Sequence, residues 1–234
     1  MFITADALRA QVAYFHERGY SGLTFGECER RRADKSLPEK VVVFTFDDAF
    51  ESVQHAATIL DEVGWVGTIF VVTDFAGEDN RLSWFGLDPG GVGLNWNALR
   101  EMSSRGWEIG SHTCSHPLLT SLPDLDLEKE LRDSRSRIES EVGNCRVLAY
   151  PYGIGDSRTA EAVQGCGYTA ACTLTGAHTT DTPYLRPRLR LESRDVNARL
   201  MVKTSRVSLA ARRSFAARLV RRLPRDRSWL PAGH

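Results

Sequence analysis

The stretch Val41-Val42-Val43-Phe44-Thr45-Phe46-Asp47-Asp48 decides how the rest of the chain is interpreted. The β-branched and aromatic residues over 41–46 predict a buried strand. The strand ends in two adjacent carboxylates, which repel each other and are costly to bury. A bound cation, or a role for one acid as a base, would account for this pair. The alternative is that Asp48 caps the helix that follows, and the stretch alone supports both explanations about equally.

The composition is that of one soluble domain. The chain has 234 residues, 42% of them hydrophobic and 26% charged, which suits one sizeable core and is short for two. Basic and acidic residues number 30 each, but residues 199–227 hold ten Lys and Arg against one Asp. The body is therefore acidic and the tail basic. We expect no nucleic-acid partner, and nothing in the sequence indicates the oligomeric state.

The cysteines and the N-terminus bear on the compartment. The five cysteines match no zinc or CxxC spacing, so we expect reduced thiols, as in cytoplasmic proteins. The first residues lack the basic and apolar regions of a signal peptide, and no stretch has the length of a membrane span. We therefore expect a cytoplasmic protein. An export signal, if the gene encodes one, would lie outside this sequence.

Strand and helix patterns alternate along the chain. Helices are predicted over 5–18, 50–63, 95–105, 124–142, 157–164 and 197–223, and strands over 41–46, 68–72, 107–110, 146–150, 168–173 and 184–191. This alternation predicts an α/β fold with parallel strands, either a barrel or a doubly wound sheet. In a barrel, the active site lies at the carboxyl ends of the strands.

His112 and His116 follow the strand predicted at 107–110 and stand four residues apart. On a helical turn the two imidazoles would lie on one side, about 6 Å apart at Cβ, which suits one metal ion. Such a pair alone is a weak signal, because many are only surface neighbours. Two His and one carboxylate form a three-ligand set with open positions, which is typical of a catalytic metal site. We expect Cys114, between them, to be a packing residue.

Three motifs resemble those of the polysaccharide deacetylase family, also called NodB-homology or carbohydrate esterase family 4. The motifs are Thr45–Asp48, Ser111–His116 and Tyr150–Gly153, in the family's order, and the similarity runs from about Phe2 to Leu191. The resemblance implies an irregular (β/α) barrel of about seven parallel strands over residues 1–196, followed by a basic C-terminal helix and tail over 197–234. It also implies hydrolysis of N-acetyl groups on N-acetylhexosamine units of a glycan or glycan precursor.

The resemblance assigns roles to single residues. Asp48, His112 and His116 would bind a divalent metal ion, most often Zn²⁺, with Co²⁺ or Mn²⁺ as alternatives. Asp47 would be the general base that takes a proton from the attacking water. The chemistry agrees, because a metal ion acidifies water and polarises an amide carbonyl while a nearby carboxylate receives the proton.

The third motif and a later aromatic residue are expected at the substrate. The resemblance implies that the backbone N–H of Tyr152 stabilises the tetrahedral oxyanion, beside Pro151 in the same motif. Trp84 lies in a long Gly- and Asp-rich loop over 76–93 and could stack on a sugar. The alternative for Trp84, that it belongs to the core, is equally supported.

This chain departs from the family pattern at several positions. Ala49 stands where the first motif usually ends in Gly, and Ala149 where the third motif often carries an Arg that orients the catalytic Asp. A branch of the family has the same form together with a later Pro-Arg, so Arg188 is expected to supply the guanidinium. The family's general-acid His has no clear match; His178 is the nearest candidate, against the alternative of a solvated loop residue.

Relatives in that branch often have an earlier strand, which nothing before Met1 supplies here. We therefore expect the barrel to be open there or closed by a partner.

Alternatives to the deacetylase hypothesis are a metal-dependent amidase on a small substrate and an inactive carbohydrate-binding module. The intact set of Asp47, Asp48, His112 and His116 argues against the module, which would not need a base. The basic helix over 197–223 either makes a peripheral contact with an anionic membrane or packs on the acidic body as part of the barrel wall.

Overall fold

The computed structural model describes residues 3–76, 92–174 and 182–205. Within these ranges the helices are α1 (Ala5–His16), α2 (Phe25–Ala33), α3 (Ser52–Asp61), α4 (Trp96–Ser104), α5 (Asp124–Val142), α6 (Ser157–Gly165) and α7 (Asn197–Thr204). The strands are β1 (Ser21–Gly22), β2 (Val41–Val42), β3 (Thr45–Phe46), β4 (Thr68–Val71), β5 (Glu108–Ser111), β6 (Val147–Ala149), β7 (Ala170–Leu174) and β8 (Arg186–Arg188).

Six strands form one parallel sheet in the order β3-β4-β5-β6-β7-β8, and β1 and β2 form a separate parallel pair. A doubly wound sheet would reverse its strand order at a switch point, whereas this order follows the chain from one edge to the other. The strands curl into a half-barrel with helices on its outer face. The barrel predicted from the sequence is therefore confirmed, and the doubly wound alternative is excluded.

The single strand predicted over 41–46 is wrong in one respect, because the chain changes partner within it. Val41 and Val42 pair with β1, whereas Thr45 and Phe46 pair with β4. Between them, the Phe44 ring turns towards the helices and is 7% exposed, 6.2 Å from the Phe15 ring. The edge of the six-stranded sheet therefore begins at residue 45, two residues before the acidic pair.

Alternate strand residues face two different cores, as expected for parallel strands. Ile69, Leu148 and Ala171 pack with the helices in the larger cluster. Phe70, Val147, Ala149, Ala170 and Cys172 form a smaller cluster on the inner face, and Phe25 of α2 packs against it. Helix α2 thus covers the inside of the half-barrel.

The N-terminus of α2 lies at the amino ends of β4 and β5. Phe25 N–H donates to Thr68 Oγ1 at 2.8 Å, and Gly26 N–H donates to Glu108 Oε2 at 2.9 Å. A Cβ on Gly26 would lie 2.1 Å from Glu108 Oε1, so a larger residue there would displace the Glu108 carboxylate. The amino end of the barrel is therefore closed, and the carboxyl end is left for a site.

Residues after β8 return to the body of the protein. Gln11 Nε2 donates to the carbonyls of Glu192 and Asp195 at 3.0 and 3.1 Å, and Leu200 of α7 is fully buried. Asp195 also pairs with Arg199 at 3.2 Å. The first turns of the predicted basic helix thus pack on α1, while residues 206–223 of that prediction lie outside the described residues. Among the described helices, none combines the length and apolar character needed to cross a membrane.

Candidate active site

Polar residues gather at the carboxyl ends of four strands. Asp47 and Asp48 follow β3, and His112 follows β5 directly. The segment 151–153 comes after β6, and Arg188 is the last residue of β8. Parallel strands bring all of these to one rim, which is where barrels carry their active sites.

Asp48, His112 and His116 converge on one point. Asp48 Oδ1 lies 3.7 Å from Nε2 of each histidine, and one ligand atom from each residue falls within 4.8 Å of the others. His112 and His116 are 2% and 8% exposed. The sequence therefore brings together the three residues that the resemblance assigns to a metal ion.

The helical turn expected for the histidine pair is wrong. Residues 112–116 form no helix, and Thr113 and His116 have left-handed backbones with φ of 71° and 63°. The two imidazole rings nevertheless meet edge to face, with centroids 4.8 Å apart. The convergence comes from a tight loop rather than from the spacing of a helix.

The donor set fits a divalent cation. Asp48 Oδ1 is buried without a hydrogen-bond partner among the described residues, which is costly unless a positive charge lies nearby. His112 Nδ1–H donates to the Ala149 carbonyl at 2.7 Å and leaves Nε2 facing Asp48, the usual arrangement of a metal-binding histidine. Two nitrogens and one carboxylate oxygen suit zinc and similar ions, and leave positions for water or substrate.

Burial favours the neutral forms of both Asp48 and His116, so the Asp48 carboxylate needs a nearby positive charge to stay ionised, whereas the neutral His116 imidazole is ready to bind one. Burial raises the pKa of Asp48 to about 6, with Asp47 adding to the rise and His112 opposing it. Burial lowers the pKa of His116 to about 3, helped by the neighbouring His112. His116 is therefore neutral at physiological pH, which is the form that binds metal ions.

The alternative role of Asp48 as a helix cap is not observed. Glu51 occupies the N-cap of α3 and makes no side-chain capping bond. Asp48 and Ala49 both have left-handed backbones, with φ of 66° and 52°. This conformation is costly for residues with a Cβ, and it turns the Asp48 side chain towards the histidines.

Asp47 is held by Arg188 across the rim. The guanidinium donates from Nη1 to Oδ1 at 2.7 Å and from Nη2 to Oδ2 at 2.9 Å, and Nη1 also donates to Thr45 Oγ1 at 2.9 Å. Burial would raise the pKa of Asp47, but Arg188 overcomes this, aided by His112, and the pKa is lowered to about 2. The contact expected from the Ala149 position is present, and Asp47 is ionised and fixed in orientation.

Tyr152 lies beside the second histidine. Its ring is 4.7 Å from the His116 ring by centroid, and the residue is 52% exposed. Tyr152 has φ of 58°, and a Cβ on the next residue, Gly153, would lie 2.4 Å from Leu174 Cβ. The buried Pro151 and this tight turn present the Tyr152 peptide and ring at the rim. Trp84 and His178 lie outside the described residues.

The comparisons with known proteins agree with this arrangement. Residues 34–171 match the family model described as polysaccharide deacetylase. The chain belongs to the polysaccharide deacetylase family. The family is the NodB-homology family of carbohydrate esterases, as the three motifs predict, and its match spans the rim residues after β3, β5 and β6.

Two relatives and one solved structure give the scale of the likeness. YxkH of Bacillus subtilis strain 168, named as a polysaccharide deacetylase, is 28% identical over 167 residues, which cover 70% of this chain and 56% of that protein. The poly-β-1,6-N-acetyl-D-glucosamine N-deacetylase of Escherichia coli K12 is 43% identical over 120 residues, 48% of this chain and 18% of that protein. The solved structure is the Streptococcus pyogenes deacetylase PplD in complex with acetate, with a TM-score of 0.75 and 22% sequence identity over 87% of this chain and 88% of that chain. At this identity the likeness shows a shared fold.

Sequence reasoning missed two contributors to this site. Thr45 lies in β3 two residues before Asp47, and its hydroxyl contacts the same guanidinium. The two-residue period of an extended chain could have revealed this contact. Glu130 of α5 accepts hydrogen bonds from the loop that carries His116. Fourteen residues separate the two in sequence, and no motif signals this contact.

Proposed function

We propose that this polysaccharide deacetylase family member is a metal-dependent N-deacetylase of N-acetylhexosamine units in a glycan or glycan precursor. One observation carries the proposal: two adjacent carboxylates serve different partners. Asp48 faces His112 and His116, whereas Asp47 faces Arg188. This separation supports a metal ligand and a base at neighbouring positions, as hydrolysis of an amide requires.

The ion would be held by Asp48, His112 and His116, with Zn²⁺ the first candidate and Co²⁺ or Mn²⁺ the alternatives. When bound, it supplies Lewis acidity, which lowers the pKa of water and polarises the carbonyl of the acetamide. The burial of both imidazoles keeps bulk water from their ring nitrogens, so the site is preorganised for binding.

Asp47 acts as the general base in this proposal. Its low pKa keeps it ionised at neutral pH, and the Arg188 fork fixes both oxygens so that one lone pair can face the attacking water. A carboxylate of low pKa also releases the proton readily, and the leaving amine must gain one. His178 remains a candidate for that second transfer.

Two groups at the rim are suited to the sugar. The Tyr152 ring is an exposed aromatic surface beside His116, on which an apolar sugar face can pack. The Tyr152 N–H is the proposed donor to the oxyanion. Trp84 is a further candidate for stacking. A poly-N-acetylglucosamine substrate draws support from the Escherichia coli relative, a poly-β-1,6-N-acetyl-D-glucosamine N-deacetylase that is 43% identical over 120 residues.

Acetate release tests the proposal. The protein is stripped of metal, reloaded with Zn²⁺, Co²⁺ or Mn²⁺, and incubated with chitooligosaccharides, poly-β-1,6-N-acetylglucosamine, peptidoglycan fragments, and nucleotide-linked and lipid-linked N-acetyl sugars. We expect metal-dependent acetate release from at least one of these. Asp47→Asn should keep the ion and lose activity by about 10²–10⁴-fold, the usual contribution of a general base.

Three results would contradict the proposal or a part of it. A fully loaded protein that releases acetate from none of the glycans is not a deacetylase of this class. Turnover of small amides alone would favour the amidase. Near wild-type turnover by Asp47→Asn would remove the base from the mechanism while leaving the metal site intact.

A further inference from the structure

The loop that carries His116 adopts a conformation that its own sequence does not favour. Thr113 is β-branched and His116 is bulky, yet both have positive φ, at 71° and 63°. Left-handed backbones of such residues persist only where the surrounding structure holds them. The contacts that hold residues 113–116, the histidine loop, therefore decide where the His116 ring lies.

Glu130 makes three of these contacts from outside the barrel. Its Oε2 accepts from the backbone N–H of Cys114 at 2.8 Å and of Ser115 at 3.0 Å, and its Oε1 accepts from Ser115 Oγ at 2.6 Å. Three donors on one carboxylate define both its position and its orientation. The two peptides held are those between the two left-handed residues.

Neighbouring hydroxyls and the backbone after β4 hold the rest of the histidine loop. The N–H groups of Thr73 and Asp74 donate to the carbonyls of Thr113 and Cys114 at 3.1 and 3.0 Å. Thr113 N–H donates to Ser111 Oγ at 3.0 Å, and His116 N–H donates to Thr113 Oγ1 at 3.1 Å. Ser134 Oγ lies 2.8 Å from Ser111 Oγ. Because Ser134 is one helical turn after Glu130, one face of α5 supports the loop at both points.

We propose that Glu130 is a positioning residue for the metal site: it fixes the histidine loop so that His116 Nε2 faces Asp48 before any ion binds. The inference rests on the proposed function, since it assumes that Asp48, His112 and His116 hold the ion. Without Glu130, the Cys114 and Ser115 N–H groups lose their acceptor, the loop relaxes towards ordinary φ values, and the ring moves away from Asp48.

Metal affinity and ligand geometry test this role. Wild type, Glu130→Ala, Glu130→Gln and Glu128→Ala are titrated with Zn²⁺ against a chromogenic chelator, and with Co²⁺ while its ligand-field absorption is recorded. We expect Glu130→Ala to weaken binding by about 10–100-fold, as for other groups that orient ligands, and to change the Co²⁺ spectrum. Glu130→Gln should stay close to wild type, because the amide oxygen can accept both N–H groups while the amide nitrogen donates to Ser115 Oγ.

Glu128→Ala is the matched control, because it removes the same charge from an exposed position of α5. Wild-type affinity and spectrum in Glu130→Ala would overturn the inference. Equal weakening in Glu130→Ala and Glu130→Gln would also overturn it, since charge rather than hydrogen bonding would then be responsible. If Glu130→Ala does not fold, Glu130→Asp, shorter by one methylene, takes its place with the same expectations.

Amide exchange separates this inference from the proposed function. In the metal-free protein, the Cys114 and Ser115 amides should exchange faster in Glu130→Ala than in Glu128→Ala. If wild type binds no ion here but this difference is found, the proposed metal site fails and the positioning of the loop stands. If wild type binds the ion and the exchange rates are equal, only the role of Glu130 fails.

Discussion

Replacing Arg188 tests how the two edges of the six-stranded sheet are joined. Arg188 ends β8 and Asp47 follows β3, and these are the edge strands, so their ion pair bridges the opening of the half-barrel. The pair is mostly buried, with side chains 12% and 30% exposed. Arg188→Met keeps a long apolar side chain and removes the guanidinium.

The pKa of Asp47 gives the size of the effect. Burial opposes ionisation, yet Arg188 brings the pKa from its ordinary 3.8 to about 2. This difference corresponds to about 2 kcal/mol of stabilisation of the ionised form. Removing one partner of a buried pair commonly costs about 3–5 kcal/mol, because the other charge is left buried. We therefore expect Arg188→Met to lower the free energy of unfolding by roughly 2–4 kcal/mol at neutral pH.

A double-mutant cycle isolates the pair. Urea unfolding of wild type, Arg188→Met, Asp47→Asn and the double mutant, with chelator present so that bound ions do not contribute, should show a coupling of about 2 kcal/mol. The folded pKa of Asp47 is depressed, so this stability is fully present above the ordinary pKa and is lost as the pH falls from 4 towards 2. Single-mutant effects that add to within about 0.5 kcal/mol at pH 7 would refute the reasoning.

Three further predictions address the metal ligands, Glu108 at the amino end of the barrel, and the basic tail. His116→Ala should lose most of the bound ion by elemental analysis, and full retention would reject the ligand set. Burial raises the pKa of Glu108, so its contribution to stability is present below its ordinary pKa and falls as pH rises through the folded value. Glu108→Gln should therefore gain stability relative to wild type as the pH rises above the ordinary pKa of a glutamate, and parallel pH curves from urea unfolding would contradict this. If the basic tail binds membranes, the full chain should co-sediment with anionic liposomes at low salt. A protein that stays in the supernatant would exclude that contact. Loss of folding on removal of residues 197–234 would instead place the segment in the barrel wall.

The position of the site could be predicted from the sequence for a simple reason. Asp47 and Asp48 follow the strand predicted over 41–46, and His112 follows closely the strand predicted over 107–110. Parallel strands deliver such residues to one rim whatever the lengths of the connecting helices. The Arg188 contact could be predicted because Ala149 stands where the family's third motif often carries an Arg, so another guanidinium was expected beside Asp47. The first inference needed only residue order and chemical type, whereas the second also needed the resemblance to the family.

The conformation of the rim could not be predicted in the same way. The break between Val42 and Thr45 depends on which strand lies on each side, and a period of two residues is the same before and after a change of partner. The spacing of His112 and His116 suits a helix, but the loop is held by Glu130 on α5. Local patterns carry no information on such distant contacts.

Positive φ angles show why local reasoning fails at the rim. The described residues include seven non-glycine residues with positive φ, of which five lie at this site: Asp48, Ala49, Thr113, His116 and Tyr152. Each costs roughly 1–2 kcal/mol, so together they cost an amount comparable with the net stability of a domain. Every propensity therefore argues against the observed backbone, and only packing and hydrogen bonds elsewhere sustain it. The sequence signalled a positive φ at one of these positions, Ala49, where the family usually has Gly. The φ of 52° at this position explains the preference for Gly, and in this chain the Ala adopts the strained conformation.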